Sequence, residues 1–365
     1  MASHKNTGNK LVFIVPYPFD QAPGQRFRYE QYLTTLKQRG FVIEIHSFLN
    51  EKAYSSFYES NKLLQKIRGI TTGFLKRIYL LFKLKNTGFI FIYREATPLG
   101  PPFFEFIVAK WLMKKIIYDF DDAIWITDNS SESKLLQYLK WRNKISKICR
   151  WSYKVSAGNE YLYKFARQHN NNVTLNPTTI ATNSLNQISV RDKVSPKEIF
   201  VGWTGSHSTL KYLQEIEDAL QCIEEKYENV KFLIIANKAP TIKLKRIEFL
   251  PWRKESELSD LAKIDIGIMP LPNDEWTKGK CGFKALQYMA MGIPAVASPI
   301  GVNTTIIKHN ENGFLASANN EWVNFLSLLI ESSELRSKLG KAGKQFVINH
   351  YSVSSNTSNF LSLFE

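Results

Sequence analysis

Residues 265–303, DIGIMPLPNDEWTKGKCGFKALQYMAMGIPAVASPIGVN, contain the clearest succession of secondary-structure signals in the chain. An apolar run at 264–270 leads into a polar loop, and apolar residues then recur at helical spacing over 283–291. Gly292, Ile293 and Pro294 end that helix before a second short apolar run at 295–297. A buried strand, a helix and another buried strand in this order predict a parallel sheet covered by helices.

The same alternation of apolar runs and amphipathic stretches extends over both halves of the chain. The predicted strands cover 11–15, 42–45, 89–93, 116–118, 155–157, 173–175, 200–203, 232–236, 247–250, 264–270 and 295–297. Further helices are predicted near 209–227, 321–330 and 335–349. Between 181 and 197 the apolar periodicity stops, which indicates a linker.

We therefore predict an α/β fold with two doubly wound domains, 1–180 and 198–350, joined by the linker 181–197. We expect the C-terminal segment, 351–365, to pack back on the first domain. In such sheets ligands bind beyond the carboxyl ends of the strands, so we expect the site in a cleft between two facing domains.

The 365 residues include 48 Lys and Arg against 33 Asp and Glu, which gives a formal net charge of +15. Two segments, 61–86 and 134–154, each contain seven cationic residues and no acidic one, so together they hold 14 of these charges. Such an excess predicts an anionic partner: a membrane surface, nucleic acid or a phosphorylated ligand. The aromatic residues of 61–86 show no signature of an RNA- or DNA-binding module, so we predict no nucleic-acid partner.

Cysteines and histidines are few and scattered. The three cysteines, Cys149, Cys222 and Cys281, fit neither a disulfide framework nor a paired metal site, and no two histidines have helix-face spacing. We therefore predict no metal. No apolar run reaches the roughly 18–20 residues of a membrane-spanning helix, and MASHKNTGNK lacks the apolar core of a signal peptide, so we expect a cytoplasmic location.

The turn at Gly282 and Phe283 opens the predicted helix at 283–291. The first turn of a helix presents backbone N–H groups without intrahelical partners, and Lys284 adds a positive charge there. This arrangement suits an anionic or hydroxylated ligand. On these residues alone, an ordinary strand–loop–helix of an α/β domain is the alternative.

The segment GFKALQYMAMGIPAVAS, residues 282–298, resembles the donor-binding segment of the GT-B glycosyltransferases, in particular glycosyltransferase family four. The resemblance implies two Rossmann-like domains and a nucleotide diphosphate sugar as donor. It also implies that Gly282, Phe283 and Lys284 face the donor sugar and diphosphate. Gln287 stands where the family has a glutamate that binds the nucleotide ribose, and an amide oxygen also accepts a hydrogen bond.

A second acidic residue of the family falls eight positions before Gln287, where this chain has Gly279. Asp274, Glu275 and Lys280 are the nearby residues that we expect to substitute for it. Lys280 is accordingly a candidate donor-binding residue.

The segment VGWTGSHSTLKYL, residues 201–213, resembles the first strand and glycine loop of the family's C-terminal domain. Gly202 and Gly205 permit a tight turn that brings backbone N–H groups to a phosphate, with Ser206 beside them. Lys211 stands where the family places a basic residue on the diphosphate, and the resemblance implies that Trp252 lies by the nucleotide base.

The segment IIYDFDDAIW, residues 116–125, delivers Asp119, Asp121 and Asp122 at the end of a predicted strand. A D-x-D metal site, the first motif of a haloacid-dehalogenase phosphatase and a helix N-cap are the alternatives from the residues themselves. The resemblance implies instead that Asp121 or Asp122 orients the acceptor hydroxyl, so we take both, with Lys284, as candidate catalytic residues.

The loop after the first predicted strand, PYPFDQAPGQRFRYEQYL, places Gly24, Arg26 and Arg28 on the acceptor side. Both arginines either hold an acceptor phosphate bidentately or are surface residues of a helix start. Arg94 and Glu95 follow a later strand, and there we expect an arginine–glutamate salt bridge.

The basic segment 61–86 also contains ten large apolar residues. Such a stretch lies either on an anionic bilayer or with its apolar face in the domain core and its charges in solvent. The resemblance favours the bilayer, because many family members extend lipid-linked sugars. We therefore expect a peripheral protein at the inner face of the cytoplasmic membrane.

Together these features predict a retaining, metal-independent glycosyltransferase that moves a sugar from a nucleotide diphosphate sugar to a glycan or lipid-linked acceptor in surface-polysaccharide synthesis. The alternative is a GT-B-like protein of weak or no activity that binds only a sugar nucleotide or an anionic membrane. A GT-B epimerase is disfavoured, because no convergent set of histidines and carboxylates suited to proton abstraction and return is visible.

Overall fold

The computed structural model describes residues 9–57, 62–126, 134–182 and 198–365. The predicted linker at 181–197 lies outside these residues except for its first two positions, as does Asn61 of the first basic segment. The chain divides into two compact units: Met1–Thr178 with Thr357–Glu365, and Thr179–Asn356. None of the described helices is long and apolar enough to cross a membrane.

The first unit is built on a sheet of six parallel strands in the order β2-β1-β3-β4-β5-β6. The strands are β1 Lys10–Val15, β2 Val42–Ser47, β3 Phe89–Tyr93, β4 Lys115–Phe120, β5 Lys154–Ala157 and β6 Val173–Leu175. The helices are α1 Pro23–Arg28, α2 Leu33–Gln38, α3 Glu51–Phe57, α4 Leu63–Leu81, α5 Phe103–Phe106, α6 Lys134–Lys140, α7 Lys144–Trp151 and α8 Glu160–Arg167, with a 3-10 turn at Glu30–Tyr32 and a π-helical turn at Ile107–Trp111. β1 is apolar on both faces and fully buried from Leu11 to Val15, as expected of a central parallel strand.

The second unit also contains six parallel strands, in the order β12-β11-β10-β7-β8-β9. They are β7 Ile199–Gly205, β8 Val230–Ala236, β9 Ile247–Pro251, β10 Ile266–Met269, β11 Ala295–Ala297 and β12 Phe314–Leu315. The helices are a 3-10 helix His207–Ile216, α9 Glu217–Lys226, α10 Glu257–Leu261, α11 Glu275–Lys278, α12 Phe283–Ala290, α13 Asn303–Ile306, α14 Asn319–Glu331 and α15 Ser333–His350. The predicted α/β class with two doubly wound sheets is confirmed.

The last residues form α16 Val353–Leu361 and a 3-10 turn, Ser362–Phe364. From Thr357 onward they belong to the first unit. The Phe360 ring stacks on the Tyr32 ring with 4.2 Å between centroids, and the Phe364 ring lies 6.4 Å from that of Phe13. The end of the chain is therefore part of the aromatic core of the first unit.

Both sheets have a switch point, where strand order reverses direction. It lies between β1 and β3 in the first unit and between β7 and β10 in the second. The loops that leave the carboxyl ends of two such strands separate to opposite faces of the sheet, which opens a crevice for ligands. The chain segments after β1 and β3, and after β7 and β10, are therefore where each unit is expected to carry a site.

Candidate functional site

Helix α12 begins at a left-handed glycine at the switch point of the second unit. Gly282 is the N-cap residue with φ of +69°, in the left-handed region. The backbone N–H groups of the first turn have no intrahelical acceptor. Together with the ammonium of Lys284 they form a positively polarised helix start, as the sequence predicted for an anionic ligand.

Lys284 lies against Gly205, the last residue of β7. A Cβ atom at position 205 would lie 2.8 Å from Lys284 Cε and 2.6 Å from the Trp203 ring. The Lys284 ammonium sits over that ring, 5.3 Å from a centroid. A glycine is thus needed at position 205, because the Lys284 side chain occupies the space that a side chain there would take. Gly205 and Lys284, which were assigned to the donor site from separate sequence motifs, are therefore in contact.

Tyr288 fixes α12 on the sheet. Its ring occupies the space that a side chain at Gly267 in β10 would need. Its hydroxyl accepts a hydrogen bond from the Thr204 backbone N–H at 2.9 Å and donates to the Ile268 carbonyl at 3.4 Å. The position of Lys284 relative to β7 is therefore set by packing and hydrogen bonds one turn further along the same helix.

The remaining donor-side residues follow neighbouring strands at the same sheet edge. Ser206 is exposed after β7, where its hydroxyl lies 2.9 Å from that of Ser208. Gly205 is paired with Ala236 and Ala236 with Pro251, so Trp252 follows a strand two positions away, about 10 Å across the sheet. The backbone N–H of Trp252 donates to Ala236 at 2.9 Å.

Lys211 and Lys280 each lie over an aromatic ring. The Lys211 ammonium lies 5.3 Å from the Tyr212 ring centroid, and that of Lys280 lies 4.6 Å from the centroid of Trp276. Both lysines are half-buried, as is Phe283. Gly202, however, is not part of a turn: it lies inside β7, where a side chain would overlap Ile264, so its role is close packing of the sheet.

Gln287 is buried on α12, and its amide Nε2 donates to Glu257 Oε1 of α10 at 3.3 Å. The two acidic residues considered as substitutes for Gly279 have local partners instead. Asp274 caps α11 by accepting from the Thr277 N–H at 2.7 Å. Glu275 forms an ion pair with Lys278. The carboxylate nearest Gln287 in hydrogen-bonding distance is therefore Glu257, which the sequence did not indicate.

Replacing Gly282 with alanine should destabilise the second unit by about 2–3 kcal/mol, because a left-handed conformation is strained for alanine and the new methyl overlaps Ile306. Chemical unfolding of the purified protein measures this. Gly100→Ala is the matched control, since Gly100 also has a positive φ, +79°, but no described atom within 4 Å of the added methyl. Equal losses for the two variants, or no recovery on adding Ile306→Val, would refute the packing contribution.

In the first unit, the carboxylate of Asp121 is the centre of a small polar cluster just beyond β3 and β4. Tyr93 donates its hydroxyl to Asp121, 2.9 Å from Oδ1, and Arg94 Nε lies 2.8 Å from the same oxygen. Arg94 also reaches Asp122 at 2.7 Å. Gly24 completes the cluster, since a side chain there would overlap the Tyr93 hydroxyl and lie 3.4 Å from Asp121 Oδ2. We call these five residues the Asp121 cluster.

The Asp121 cluster holds its carboxylate ionised. Burial by itself would raise the pKa of Asp121, but the charge of Arg94 and its hydrogen bond outweigh burial and lower that pKa below its usual value. Arg94 has a left-handed backbone, φ of +60°, and its N–H donates to the Asp119 carbonyl at 2.7 Å. An ionised carboxylate whose side chain is 11% exposed suits the orientation of a hydroxyl group by hydrogen bonding.

The salt bridge between Arg94 and Glu95 that we expected from the sequence is not formed, because both residues have other partners. Glu95 forms an ion pair with Lys144 at 2.7 Å, while Arg94 bridges Asp121 and Asp122. Tyr93, and the pairing of Arg94 with Asp121 and Asp122, are thus the features of the site that were not predicted from the sequence. A usable signal existed, because β3 and β4 are neighbouring parallel strands with Tyr93 opposite Asp119, so the residues that follow each strand must meet.

The prediction that Arg28 holds an acceptor phosphate does not fit the structure. Its side chain is fully buried, where the guanidinium binds Asp119 through two hydrogen bonds and also donates to the Asn176 carbonyl. Arg26 is half-buried near Asp20, at 3.6 Å, and its guanidinium lies over Phe27. Of the two arginines, only Arg26 retains an accessible surface for a ligand.

The three aspartates of 116–125 point to different partners. Asp119 binds Arg28, whereas Asp121 and Asp122 bind Arg94. A D-x-D metal site would need Asp119 and Asp121 to converge on one ion. In the part of the chain that the structure describes, no group of three His, Cys, Asp or Glu side chains is arranged to hold a metal.

The lowered pKa of Asp121 predicts how stability depends on pH. The unfolded carboxyl has a pKa of about 3.9, so its folded-state contribution is complete above that pH and is lost as pH falls through the lower folded value. Relative to Asp121→Asn, the wild type should be more stable from neutral pH down to about pH 4, and the difference should shrink at lower pH. Urea unfolding of both proteins across this range measures it, and a difference that grows on acidification would contradict the assignment.

Helix α4 exposes much of its apolar surface. Gly69 and Gly73 face Ala53 and Phe48, and Ile70 and Phe74 pack around the same residues. The opposite side is uncovered in this unit, with Leu64 82% and Phe82 80% exposed. The other exposed large apolar residues of 62–86 are Leu63, Ile67, Leu75, Ile78 and Tyr79. The interpretation that the apolar residues of this segment simply form the domain core is therefore wrong for these residues.

Two of the fourteen clustered cations are interior residues. Arg77 of α4 is buried and donates to the carbonyls of Val15, His46 and Ala96. Lys144 is buried against Glu95. The charge that the basic segments offer to a partner is therefore smaller than their composition indicates.

Comparisons with known proteins agree with this geometry. Residues 196–332 match the family model Glycosyl transferases group 1. The curated protein "Glycosyltransferase 1 domain-containing protein 1" of Xenopus tropicalis is 28% identical over 153 residues, which are 38% of this chain and 44% of that protein. This chain thus spans less than half the length of that relative.

Solved structures share the fold over nearly the full chain. Sucrose-phosphate synthase from Thermosynechococcus elongatus is similar with a TM-score of 0.69 at 12% identity, covering 98% of both chains. The catalytic domain of starch synthase IV from Arabidopsis thaliana, bound to ADP and acarbose, has a TM-score of 0.69 at 12% identity and covers 98% of this chain and 99% of its own. Anabaena HepE, in complex with UDP and glucose, has a TM-score of 0.63 at 15% identity, with 97% and 99% covered. At these identities the likeness establishes the GT-B fold. The predicted resemblance to the glycosyl transferases group 1 is confirmed over residues 196–332 by the family model.

Proposed function

We infer that this chain, which carries a glycosyl transferases group 1 domain on the GT-B fold, is a glycosyltransferase that uses a nucleotide diphosphate sugar. The observation that carries the proposal is the contact of Lys284 with Gly205 at the left-handed start of α12. A cation and a helix start at a switch point suit a diphosphate. The nucleotides and sugars named with HepE and starch synthase IV support this choice of ligand.

In the proposed reaction the anomeric carbon of the donor sugar loses its bond to the diphosphate oxygen and gains a bond to the acceptor hydroxyl oxygen. Lys284, Lys211 and the first turn of α12 stabilise the negative charge that develops on the leaving diphosphate. The acceptor proton passes to the departing phosphate oxygen, so the new bond forms on the same face and configuration is retained. Because these cations neutralise the diphosphate, the proposal includes no metal.

For the acceptor we propose the Asp121 cluster. An ionised Asp121 held by Tyr93 and Arg94 orients the acceptor hydroxyl by accepting its hydrogen bond, with Asp122 beside it. The absence of a side chain at Gly24 lets the Tyr93 hydroxyl reach this carboxylate, and Arg26, half-buried beside Asp20, is the cation proposed to meet a phosphorylated acceptor. A glycan or a lipid-linked saccharide of surface-polysaccharide synthesis fits these groups.

A thermal-shift screen against UDP-, GDP-, ADP- and CMP-sugars tests the donor site, because a ligand that binds only the folded state raises the melting temperature. A shift with one nucleotide family is expected. No shift with any of the four would overturn the donor site. Product analysis then tests the chemistry: an inverted anomeric configuration or loss of activity with EDTA would overturn the retaining, metal-independent mechanism. A nucleotide sugar that binds but is neither transferred nor hydrolysed would favour the binding-protein alternative.

We also propose that the protein works at an anionic membrane, on the inner face of the cytoplasmic membrane. The exposed apolar side of α4 and the flanking cations Lys62, Lys66, Lys83 and Lys85 support this placement, since apolar side chains and lysines together favour an anionic bilayer. α5 packs on both α4 and α7, and Trp111 and Met113 beyond α5 are also exposed.

Vesicle flotation tests this placement. The full chain should float with phosphatidylglycerol vesicles at low salt and not with phosphatidylcholine vesicles, and added salt should weaken the binding. Leu64→Gln with Phe82→Gln should weaken it at least about tenfold, because two exposed apolar side chains that would enter the bilayer are lost. Leu328→Gln, an exposed leucine of the second unit, is the control. No flotation at low salt would overturn the membrane proposal and leave the transferase proposal intact.

A further inference from the structure

The second unit contains a buried carboxylate–carboxamide pair that the proposed mechanism has not used. Glu257, the first residue of α10, is 5% exposed, and Gln287 on α12 is 7% exposed. Gln287 Nε2 donates to Glu257 Oε1 over 3.3 Å. The carboxylate oxygen accepts this hydrogen bond, so it selects the NH₂ side of the amide and fixes the amide plane.

The fixed amide presents its oxygen in the other direction. Among the described residues, no hydrogen bond to Gln287 Oε1 is formed, and this oxygen is not sealed from solvent. Gln287 follows Lys284 by three residues on α12, so both side chains lie on one side of the helix. A group that binds next to a diphosphate on Lys284 therefore meets an oriented hydrogen-bond acceptor. In a nucleoside diphosphate that group is the ribose.

We propose that Glu257 is a positioning residue that turns the Gln287 amide so that its oxygen accepts a hydrogen bond from a ribose hydroxyl, and that Glu257 is the reason why this chain has glutamine at position 287. The proposal rests on the proposed function, because it assumes a nucleoside diphosphate on Lys284. A carboxylate at both positions would place two negative charges in hydrogen-bonding distance in a buried site, where one must take up a proton or move away. Glutamine at 287 avoids this repulsion and keeps an acceptor oxygen toward the ligand.

The experiment uses three variants of the full chain and two sets of ligands. The variants are Glu257→Gln, Gln287→Glu and the exchange Glu257→Gln/Gln287→Glu, and Glu255→Gln, at an exposed position in the preceding loop, is the control. The ligands are UDP, GDP and ADP and their 2′,3′-dideoxy counterparts, with dissociation constants measured by calorimetry. The dideoxy compounds lack the ribose hydroxyls, so the ratio of the two affinities measures recognition of those hydroxyls. A merely structural change would lower both affinities alike and leave this ratio unchanged.

For the nucleotide that binds, Gln287→Glu should lower the affinity of the ribonucleotide by about thirtyfold near pH 7.5, and acidification should recover part of it, because like-charge repulsion favours protonation of one carboxyl. The exchange variant should bind within about threefold of the wild type, because the amide introduced at position 257 can donate to the carboxylate introduced at position 287. Glu257→Gln should lower the preference for the ribonucleotide over its dideoxy form by about three- to tenfold, since a neutral amide no longer fixes the orientation of Gln287. Glu255→Gln should change neither affinity.

The outcomes separate this inference from the proposed function. Wild-type binding combined with equal losses for ribo- and dideoxynucleotides in every variant would overturn the inference alone. An exchange variant no better than Gln287→Glu would do the same. If the wild type binds none of the three nucleotides, the donor site itself is overturned and the inference with it. Glu257→Gln changes one atom of a buried side chain, so it provides the measurement even if Gln287→Glu does not fold.

Discussion

Lys284→Met should lower the turnover number by at least about a hundredfold, with a smaller effect on the KM of the donor. Methionine keeps an apolar stem in the space between Gly205 and Trp203 but removes the ammonium from the start of α12. The charge on the leaving diphosphate develops mainly in the transition state, so the loss should appear in kcat. Steady-state kinetics with the nucleotide sugar found in the thermal-shift screen measures it.

Lys338→Met is the control for this variant, because Lys338 is an exposed lysine of α15 in the same unit. Its kinetics should match the wild type. Unchanged kinetics for Lys284→Met, with normal thermal unfolding of both variants, would remove Lys284 from the active site and would leave the left-handed turn at Gly282 without a ligand.

Arg28→Ala should destabilise the first unit by about 3–5 kcal/mol, because it leaves a buried aspartate without its counter-charge. Asp119 and Arg28 are both fully buried and joined by two hydrogen bonds, and Asp119 also accepts from the Ser156 hydroxyl. Guanidinium denaturation followed by tryptophan fluorescence measures the shift of the unfolding transition.

The double variant Arg28→Met/Asp119→Leu separates burial of an unpaired charge from loss of the pair. Replacing both charges with apolar side chains removes the unpaired carboxylate, so most of the stability should return. Arg39→Ala, at an exposed position after α2, should change stability by no more than about 0.5 kcal/mol. A loss below about 1 kcal/mol for Arg28→Ala would show that Asp119 is accommodated without the arginine.

The strands were predictable from sequence where an apolar run is bounded by polar or turn residues. β3, β6 and β11 occupy the predicted residues, and β7 extends the predicted 200–203 at both ends, because Ile199 on one side and Thr204 and Gly205 on the other continue its pairing with β8. Two further elements show where the periodic signal fails. β12 is only two residues long, too short for a periodic signal, and the predicted helix at 209–227 is a 3-10 helix followed by α9.

Among the site residues, those set by a local sequence feature were predictable, and those set by a distant partner were not. Gly282 and Lys284 are visible in the sequence because a helix start is a local feature. The partner of Asp121 and the partner of Gln287 come from other strands and helices, 27 and 30 residues away in sequence, so no local pattern specifies them. Arg28 shows the limit most clearly: an arginine in a polar loop resembles a ligand-binding residue until Asp119, 91 residues later, is placed beside it.

Composition likewise did not separate surface charge from interior charge. Arg77 lies in an uninterrupted cationic segment, yet its guanidinium is enclosed by three backbone carbonyls, and burial lowers its pKa to about 10. Its neighbours Lys76 and Lys83 remain at the surface. A helical register, which places every third or fourth residue on one side, decides which cations face solvent.

The last nine residues of the chain, Thr357–Glu365, have a consequence for biogenesis. Domains generally fold in the order in which the ribosome delivers them, with the N-terminal domain first. Here the aromatic core of the N-terminal sheet acquires Phe360 and Phe364 only after every residue of the other unit has been made. The unit that is synthesised first is therefore completed last. Until then the rings of Tyr32 and Phe91 lack their contacts with the ring of Phe360.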